Sequence, residues 1–316
     1  MGGDSRILTK GLIRPEHVLT TYLALTRDPK ARGNSSFARF GTWAAIVKYW
    51  MGEEWLLDHL NPEGKSFLRL DPSNSIDTVR RNLQVWDLAE LTLNLQHIEG
   101  FRALMLKMST AKARDIESLM GELRVARLLY INGHQLRFVE APGSGAIHDL
   151  EIDFPDGTVI YGETKCKLTT TAFSAETVTN ALSKAADKFN GDVPGVIFLN
   201  FPQDWYDSAG REEVHKRIRD TAEAFFDQGR SETKPQNTRV LAAVFYCEPL
   251  TVAGETITQG HDHAVLINRW NKFDRSKDWR LLTYTPPPGL YWKNLPVKWI
   301  RLTDLPAELL KHAQAN

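Results

Sequence analysis

Thr158–Lys167 reads TVIYGETKCK. It opens as a buried strand, with Val159, Ile160 and Tyr161 in a row, and then sets Glu163, Lys165 and Lys167 at alternate positions. Alternate residues of a strand project from one face, so a carboxylate and ammonium groups share a face directly after an apolar run. Upstream, His148–Phe154 (HDLEIDF) alternates in the same way, and Pro155-Asp156-Gly157 supplies a tight turn. The two segments are expected to pair as a hairpin. Before them come a helix over Arg114–Tyr130, stopped by Asn132-Gly133, a short strand over Gln135–Glu140 and a loop over Ala141–Ala146. After them come a helix over Ser174–Asn190, ended by Gly191, and a buried strand over Gly195–Phe201 (GVIFLNF). Helix, three strands, helix, strand fits a mixed sheet flanked by helices, an α/β class.

The rest of the chain frames this core. The first 110 residues read as a helical region, with helices over Glu16–Thr26, Phe40–Leu60 and Ser75–Met108, the last interrupted at Gly100. Residues 111–316 are expected to form the α/β domain with a C-terminal extension. There Glu212–Gln228 and Leu305–Gln314 read as helices, and Arg239–Tyr246 and His263–Asn268 as strands. The 316 residues carry 39 basic and 39 acidic side chains, a neutral total that leaves any nucleic-acid partner to local patches. Cys166 and Cys247 read as reduced thiols of a cytoplasmic protein, since one disulfide would staple little of a chain this long. No signal peptide or membrane span is expected, because no apolar run approaches eighteen residues. Acyl-hydrolase, Walker and dinucleotide motifs are absent from the sequence.

The charges on the hairpin are the informative feature. In HDLEIDF, Leu150, Ile152 and Phe154 form one face, and Asp149, Glu151 and Asp153 the other. Same-face side chains on neighbouring strands stand about 5 Å apart, so Asp149 and Glu163 can converge. Asp153 takes the place of Asp149 if the register is shifted. Oxygen ligands with room for water suit Mg²⁺ or Mn²⁺. A third carboxylate, Glu122, sits inside the apolar stripe Leu119, Val125, Ala126, Leu129. A carboxylate facing a core is costly unless a charge or a metal pairs with it. Glu117 and Asp115, in the first turns of that helix, are accounted for by its dipole.

Asp149 followed by Glu163-Thr164-Lys165, fourteen residues on, with Glu122 on the preceding helix, resembles the PD-(D/E)xK nuclease superfamily. The resemblance covers about residues 111–202, and His148 stands where the motif often has proline. It implies a restriction-endonuclease-like core. It also implies that Asp149 and Glu163 hold Mg²⁺ (or Mn²⁺) with the Thr164 backbone carbonyl. Lys165 would orient or help deprotonate the attacking water. Glu122 would bind metal directly, through water, or at a second site. The implied activity is hydrolysis of phosphodiester bonds, of DNA before RNA, in restriction, phage defence or repair, with a homodimer as one arrangement for cutting both strands. The alternative is a catalytically silent nuclease-like domain that binds nucleic acid or a partner protein.

Several basic groups are candidate phosphate contacts. Lys167 is read equally as a contact or a solvated end residue, and Lys184 and Lys188 as flanking the site or coating a solvated face. The segment Arg269–Arg280 (RWNKFDRSKDWR) interleaves Arg269, Lys272 and Arg275 with aromatic residues. Basic groups neutralise phosphates and aromatics stack on bases; equally, the aromatics can be buried and the charges coat a loop. From Arg239 to Arg301 there are nine basic and five acidic residues, a local excess of four. Thr169, Thr170, Thr171 and Ser174 are read as capping groups for the next helix. His261-Asp262-His263 is read as a loop in preference to a metal site, and Cys166 as a core residue.

Overall fold

The structure, a computed structural model, describes residues 5–29, 35–60, 75–139, 148–154, 157–167, 171–189, 192–228, 235–248, 250–253, 256–260, 262–273, 298–302 and 306. The chain divides into two compact units, Met1–Arg127 with Lys298–Asn316, and Leu128–Val297.

The first unit contains α1 (Pro15–Arg27), α2 (Ser35–Met51), α3 (Glu53–Leu60), α4 (Ser75–Leu95), α5 (Phe101–Thr110) and most of α6 (Ala113–Ile131). The expected helix over 40–60 is two helices, because Gly52 takes φ +94° between α2 and α3. A left-handed residue ends the helical ladder, and glycine accepts that conformation without a Cβ penalty. Farther on, α4 ends at Leu95 and Gly100 (φ +77°) is the N-cap of α5, the interruption expected there. Trp50 and Phe101 meet edge to face at 5.1 Å in the core of this unit.

The second unit is built on a six-stranded mixed sheet ordered β1-β2-β3-β4-β5-β8. Its strands are β1 (Gln135–Phe138), β2 (Leu150–Asp153), β3 (Val159–Cys166), β4 (Gly195–Asn200), β5 (Val240–Cys247) and β8 (Asp262–Ile267). β1, β2 and β3 run antiparallel, β3, β4 and β5 parallel, and β8 antiparallel to β5. Gly157, at φ +81°, supports the turn between β2 and β3. The parallel pairs require crossovers, which α7 (Ala175–Ala186) and α9 (Arg211–Asp227) supply. Both helices carry stripes at helical spacing, Val178, Ala181, Leu182 and Ala185 in α7 and Val214, Ile218, Ala222 and Phe225 in α9. These pack on Ile197, Leu199, Ala243 and Phe245 of the sheet. β4 and β5 are buried at every position, which is why they read as unbroken apolar runs. Gly195 opens β4 because a Cβ there would lie 2.4 Å from the Phe189 ring.

Two elements of this unit have no counterpart in the sequence reading: the short helix α8 (Asp204–Ala209) and a separate two-stranded hairpin of β6 (Leu250–Ala253) and β7 (Thr256–Gln259). Asp262 and His263 open β8 and are not loop residues. His261, the Ala141–Ala146 loop and, apart from residue 306, the terminal segment Leu305–Gln314 lie outside the described residues. Among the described residues no helix is long and apolar enough to cross a membrane.

Candidate functional site

The hairpin register determines which charges meet. Leu150 pairs with Gly162 and Asp153 with Val159, and the Asp149 N–H donates to the Gly162 carbonyl at 3.0 Å. Asp149 acts electrostatically on Glu163 from there. The shifted register that would substitute Asp153 is not adopted. β2 ends here while β3 continues, so the edge of β3 beyond Gly162 lacks a neighbouring strand among the described residues. The Asp149 side chain fills part of that gap, its Oδ2 accepting the Thr164 N–H at 2.7 Å. The N–H and C=O of one strand residue point the same way, so the Thr164 carbonyl opens toward the same edge.

Glu163 is only 3% exposed. Its Oε1 is ion-paired with Lys165 Nζ. Its Oε2 is buried with no hydrogen-bond partner, as is Thr164 Oγ1 beside it. Burial, followed by the Asp149 carboxylate, pushes the Glu163 carboxyl up to about 7, against the opposing pull of Lys165 and Lys188. Leaving a carboxylate oxygen unsatisfied in an interior costs several times what a typical hydrogen bond contributes. A divalent cation fits this donor set: two carboxylates and a backbone carbonyl, with one oxygen lacking any other partner. Mg²⁺ commonly uses one or two carboxylates and keeps water for the remaining positions.

The other carboxylates on this face are engaged. Glu151 is ion-paired with Arg137 of β1, its cross-strand partner, and lies 3.2 Å from His148 Nε2. Asp153 lies 3.6 Å from Arg137. The His148 ring stacks on Tyr161 at 3.7 Å, and burial holds its pKa below the ordinary histidine value. This Arg137–Glu151–His148–Tyr161 arrangement was not anticipated, although pairing QLRF against LEID predicts its Arg137–Glu151 contact.

Glu122 is buried, at 6% exposure, as its place in the apolar stripe of α6 predicts. It belongs to the first compact unit, where its Oε1 lies 3.7 Å from Lys107 Nζ. Asp149, Glu163 and Lys165 belong to the second. Among the described residues no group of three or more His, Cys, Asp and Glu side chains is placed to hold a metal ion. What the second unit itself brings together is the Asp149–Glu163 pair with Lys165.

The basic candidates divide. Lys167 is half-buried, and burial followed by the Lys184 and Lys165 charges lowers its pKa. Lys184, in the last turn of α7, and Lys188, just beyond it, are exposed. By contrast, Arg269 is ion-paired with Asp227 at 2.9 Å and Lys272 with Asp192. Trp270 is partly buried against the helix-packed core and donates its Nε1–H to Asp227. Arg275 lies outside the described residues, as do Thr169 and Thr170. Ser174 caps α7 as expected, its Oγ accepting the Thr177 N–H at 3.0 Å.

Asp262 is part of a separate polar cluster. Its Oδ2 accepts from the Tyr206 hydroxyl at 2.7 Å and from Arg211 Nε at 2.7 Å, with His215 Nε2 at 3.0 Å. Burial works against ionisation of Asp262, yet these three partners hold its pKa below the ordinary value. The groups satisfy one another and tie α8 and α9 to β8. Compared with family models, with curated proteins and with solved structures, the chain matches none.

Proposed function

We propose that the chain is a metal-dependent nuclease with a restriction-endonuclease-like core, hydrolysing phosphodiester bonds of DNA. The observation that carries this reading is the buried, unpartnered Glu163 Oε2, in a carboxyl group on which the Asp149 charge acts. The order α6-β1-β2-β3-α7-β4, with β1 to β3 antiparallel and β4 parallel to β3, supports the same reading. No fold-level likeness alone would do so, because one fold serves many chemistries.

Asp149 and Glu163 would hold Mg²⁺ or Mn²⁺ together with the Thr164 carbonyl. When bound, such an ion lowers the pKa of water and offsets charge on phosphoryl oxygens. Lys165 Nζ is tethered by Glu163 Oε1, and its side chain remains 26% exposed. The tether holds the ammonium beside the ligand carboxylates, where it can orient the attacking water by hydrogen bonding and balance charge on the phosphate. Burial of Glu163 lowers the screening around its carboxylate, which strengthens each charge interaction there.

The test is cleavage of supercoiled and linear DNA with Mg²⁺, Mn²⁺ or EDTA, with Mn²⁺ calorimetry on the same protein. Cutting that requires metal and disappears in Asp149→Ala and Lys165→Ala is the expected result. No cutting and no Mn²⁺ binding would sink the proposal in favour of a catalytically silent domain that binds nucleic acid or a partner protein.

A further inference from the structure

After the second unit the chain returns to the first. Residues 298–302 belong to the helical unit, where 298–301 form no helix or strand. Trp299 and Leu302 are nonetheless buried, at 6% and 0% exposure, with Ile300 and Arg301 between them only partly so. Side chains of α4 and α2 hold this strap by its backbone. Asn94 Oδ1 accepts the Ile300 N–H at 2.7 Å, and Asn94 Nδ2 donates to the Ile300 carbonyl at 2.9 Å. One turn back on the same face of α4, Glu90 accepts the Trp299 Nε1–H at 2.9 Å and the Leu302 N–H at 2.8 Å. Trp43 Nε1 of α2 donates to the Leu302 carbonyl at 3.4 Å.

Ile300 and Leu302 therefore satisfy their backbone groups through side chains and not through a helix or sheet ladder. The groups that hold them have anchors of their own. Asn94 Nδ2 also donates to the Glu90 carbonyl at 2.8 Å, and Trp86 Nε1 donates to Glu90 Oε2 at 3.0 Å. Neither anchor involves the strap, so neither depends on its presence. A groove binds an extended peptide in this manner: main-chain hydrogen bonds supply affinity, and pockets for particular side chains supply specificity. Here the buried side chains are Trp299 and Leu302, three residues apart, and the partly exposed positions between them tolerate other residues.

We infer that Glu90, Asn94 and Trp43 form a peptide-binding site of the helical unit, and that Trp299–Leu302 closes it as an autoinhibitory ligand. The partner it fits is an extended segment of another protein with Trp and Leu three residues apart. The strap competes from within the same chain, at an effective concentration that reaches the millimolar range for a well-matched connection. A partner segment of equal intrinsic affinity is therefore excluded at micromolar concentration and enters once the strap is released. Every group of this site lies in the first compact unit, and none belongs to the metal site at β3.

The experiment is fluorescence anisotropy of a dye-labelled peptide PVKWIRLTD, residues 296–304, titrated with the full chain. Trp299→Ala weakens the resident ligand. That variant is expected to bind the probe at least about tenfold more tightly than the wild type, because a larger fraction of its sites is open. Adding Asn94→Ala is expected to abolish the gain. Adding Gln96→Ala instead is expected to preserve it, since Gln96 clamps the Ile13 backbone in the same two-handed way and makes its remaining hydrogen bond to Leu93. Circular dichroism confirms that each variant is folded. No binding by a folded Trp299→Ala chain, or equal binding by that chain and its Asn94→Ala double variant, overturns the inference. Hydrogen exchange in the wild type tests the same point without any substitution. The Ile300 and Leu302 N–H groups are expected to show protection factors at least about 100-fold below those of Leu88 and Leu91 in α4, because the strap releases while the helix stays folded. Equal protection at all four would mean that the strap leaves only when the whole unit unfolds, and would also overturn it.

Discussion

In the helical unit, Asp87 and Glu90 lie as deep as Glu163 does in the sheet, at 2%, 2% and 3% exposure. Their surroundings differ in one respect. Asp87 receives Arg127 on Oδ1 at 2.7 Å and Arg124 on Oδ2 at 2.8 Å. Glu90 receives Trp299 on Oε1, and Trp86 and Leu302 on Oε2. All four oxygens have donors. At the sheet edge, Glu163 has Lys165 on one oxygen and nothing on the other. Burial of a carboxylate is thus common to both regions and distinguishes neither. Of these three buried carboxylates, Glu163 alone keeps an oxygen without a donor among the described residues, which is why the edge of β3 is the candidate site.

The comparison predicts opposite responses to removing the carboxylate. Asp149→Asn keeps an oxygen to accept the Thr164 N–H and relieves repulsion of Glu163. It is expected to lower metal-dependent cleavage at least about 100-fold, in the range of a lost catalytic group, with an unchanged or higher melting temperature in EDTA. Asp87→Ala is expected to leave any metal binding intact and to cost about 3–5 kcal/mol, the typical result of leaving buried guanidinium groups without their partner. Calorimetry with Mn²⁺ and urea melts on both variants check this crossing pattern. Equal stability losses at the two positions would erase the distinction between them.

The hairpin of this site was legible because its signals are local. HDLEIDF and TVIYGETKCK alternate with period two, and Pro155-Asp156-Gly157 fixes where they turn. Register follows from that turn, so the meeting of Asp149 with Glu163 was legible too. The depth of Glu163 was not, because a Glu-x-Lys on a strand reads equally well as a solvated pair. Nor were the partners that neutralise charge across long separations. Trp299 and Leu302 reach Glu90 from more than 200 residues away, and Asp227 and Asp192 reach Arg269 and Lys272 from 42 and 80. No periodicity encodes such pairs. The β6–β7 hairpin escaped notice because four-residue strands carry too little alternation to read.

A smaller effect separates the regions by pH. The Glu163 carboxyl is raised to about 7 by burial and by Asp149, so the folded protein favours its protonated form. The stability that this form contributes is fully present below the ordinary glutamate pKa of about 4.3 and is lost as pH rises through about 7. Glu163→Gln is neutral throughout. In EDTA it is expected to match the wild type near pH 4 and to exceed it at pH 8 by up to about 3.7 kcal/mol. Adding Mn²⁺ at pH 8 reverses the order once the ion is near about 1,000 times its dissociation constant, since a bound cation favours the ionised carboxylate and then stabilises the wild type by about 4.1 kcal/mol. Melting curves of both proteins at the two pH values, with and without Mn²⁺, provide the check. A Glu163→Gln advantage that does not grow with pH would show that the second oxygen has a partner in solution.

The smallest effect belongs to the Arg269 and Lys272 ion pairs, where the charges are matched and exposed. Arg269 is 63% exposed and its partner Asp227 41%. Water screens such a pair, and holding two long side chains in place offsets much of the attraction. Arg269→Ala and Lys272→Ala are each expected to cost no more than about 1 kcal/mol, less in high salt. Cleavage rate should be unchanged in both, because the cations removed were already neutralised within the protein. A tenfold drop in cleavage for either variant, with its melting temperature unchanged, would mean that DNA displaces the carboxylate. The aromatic and basic stretch would then be binding surface, and matched charge would no longer mark a cation of this unit as structural.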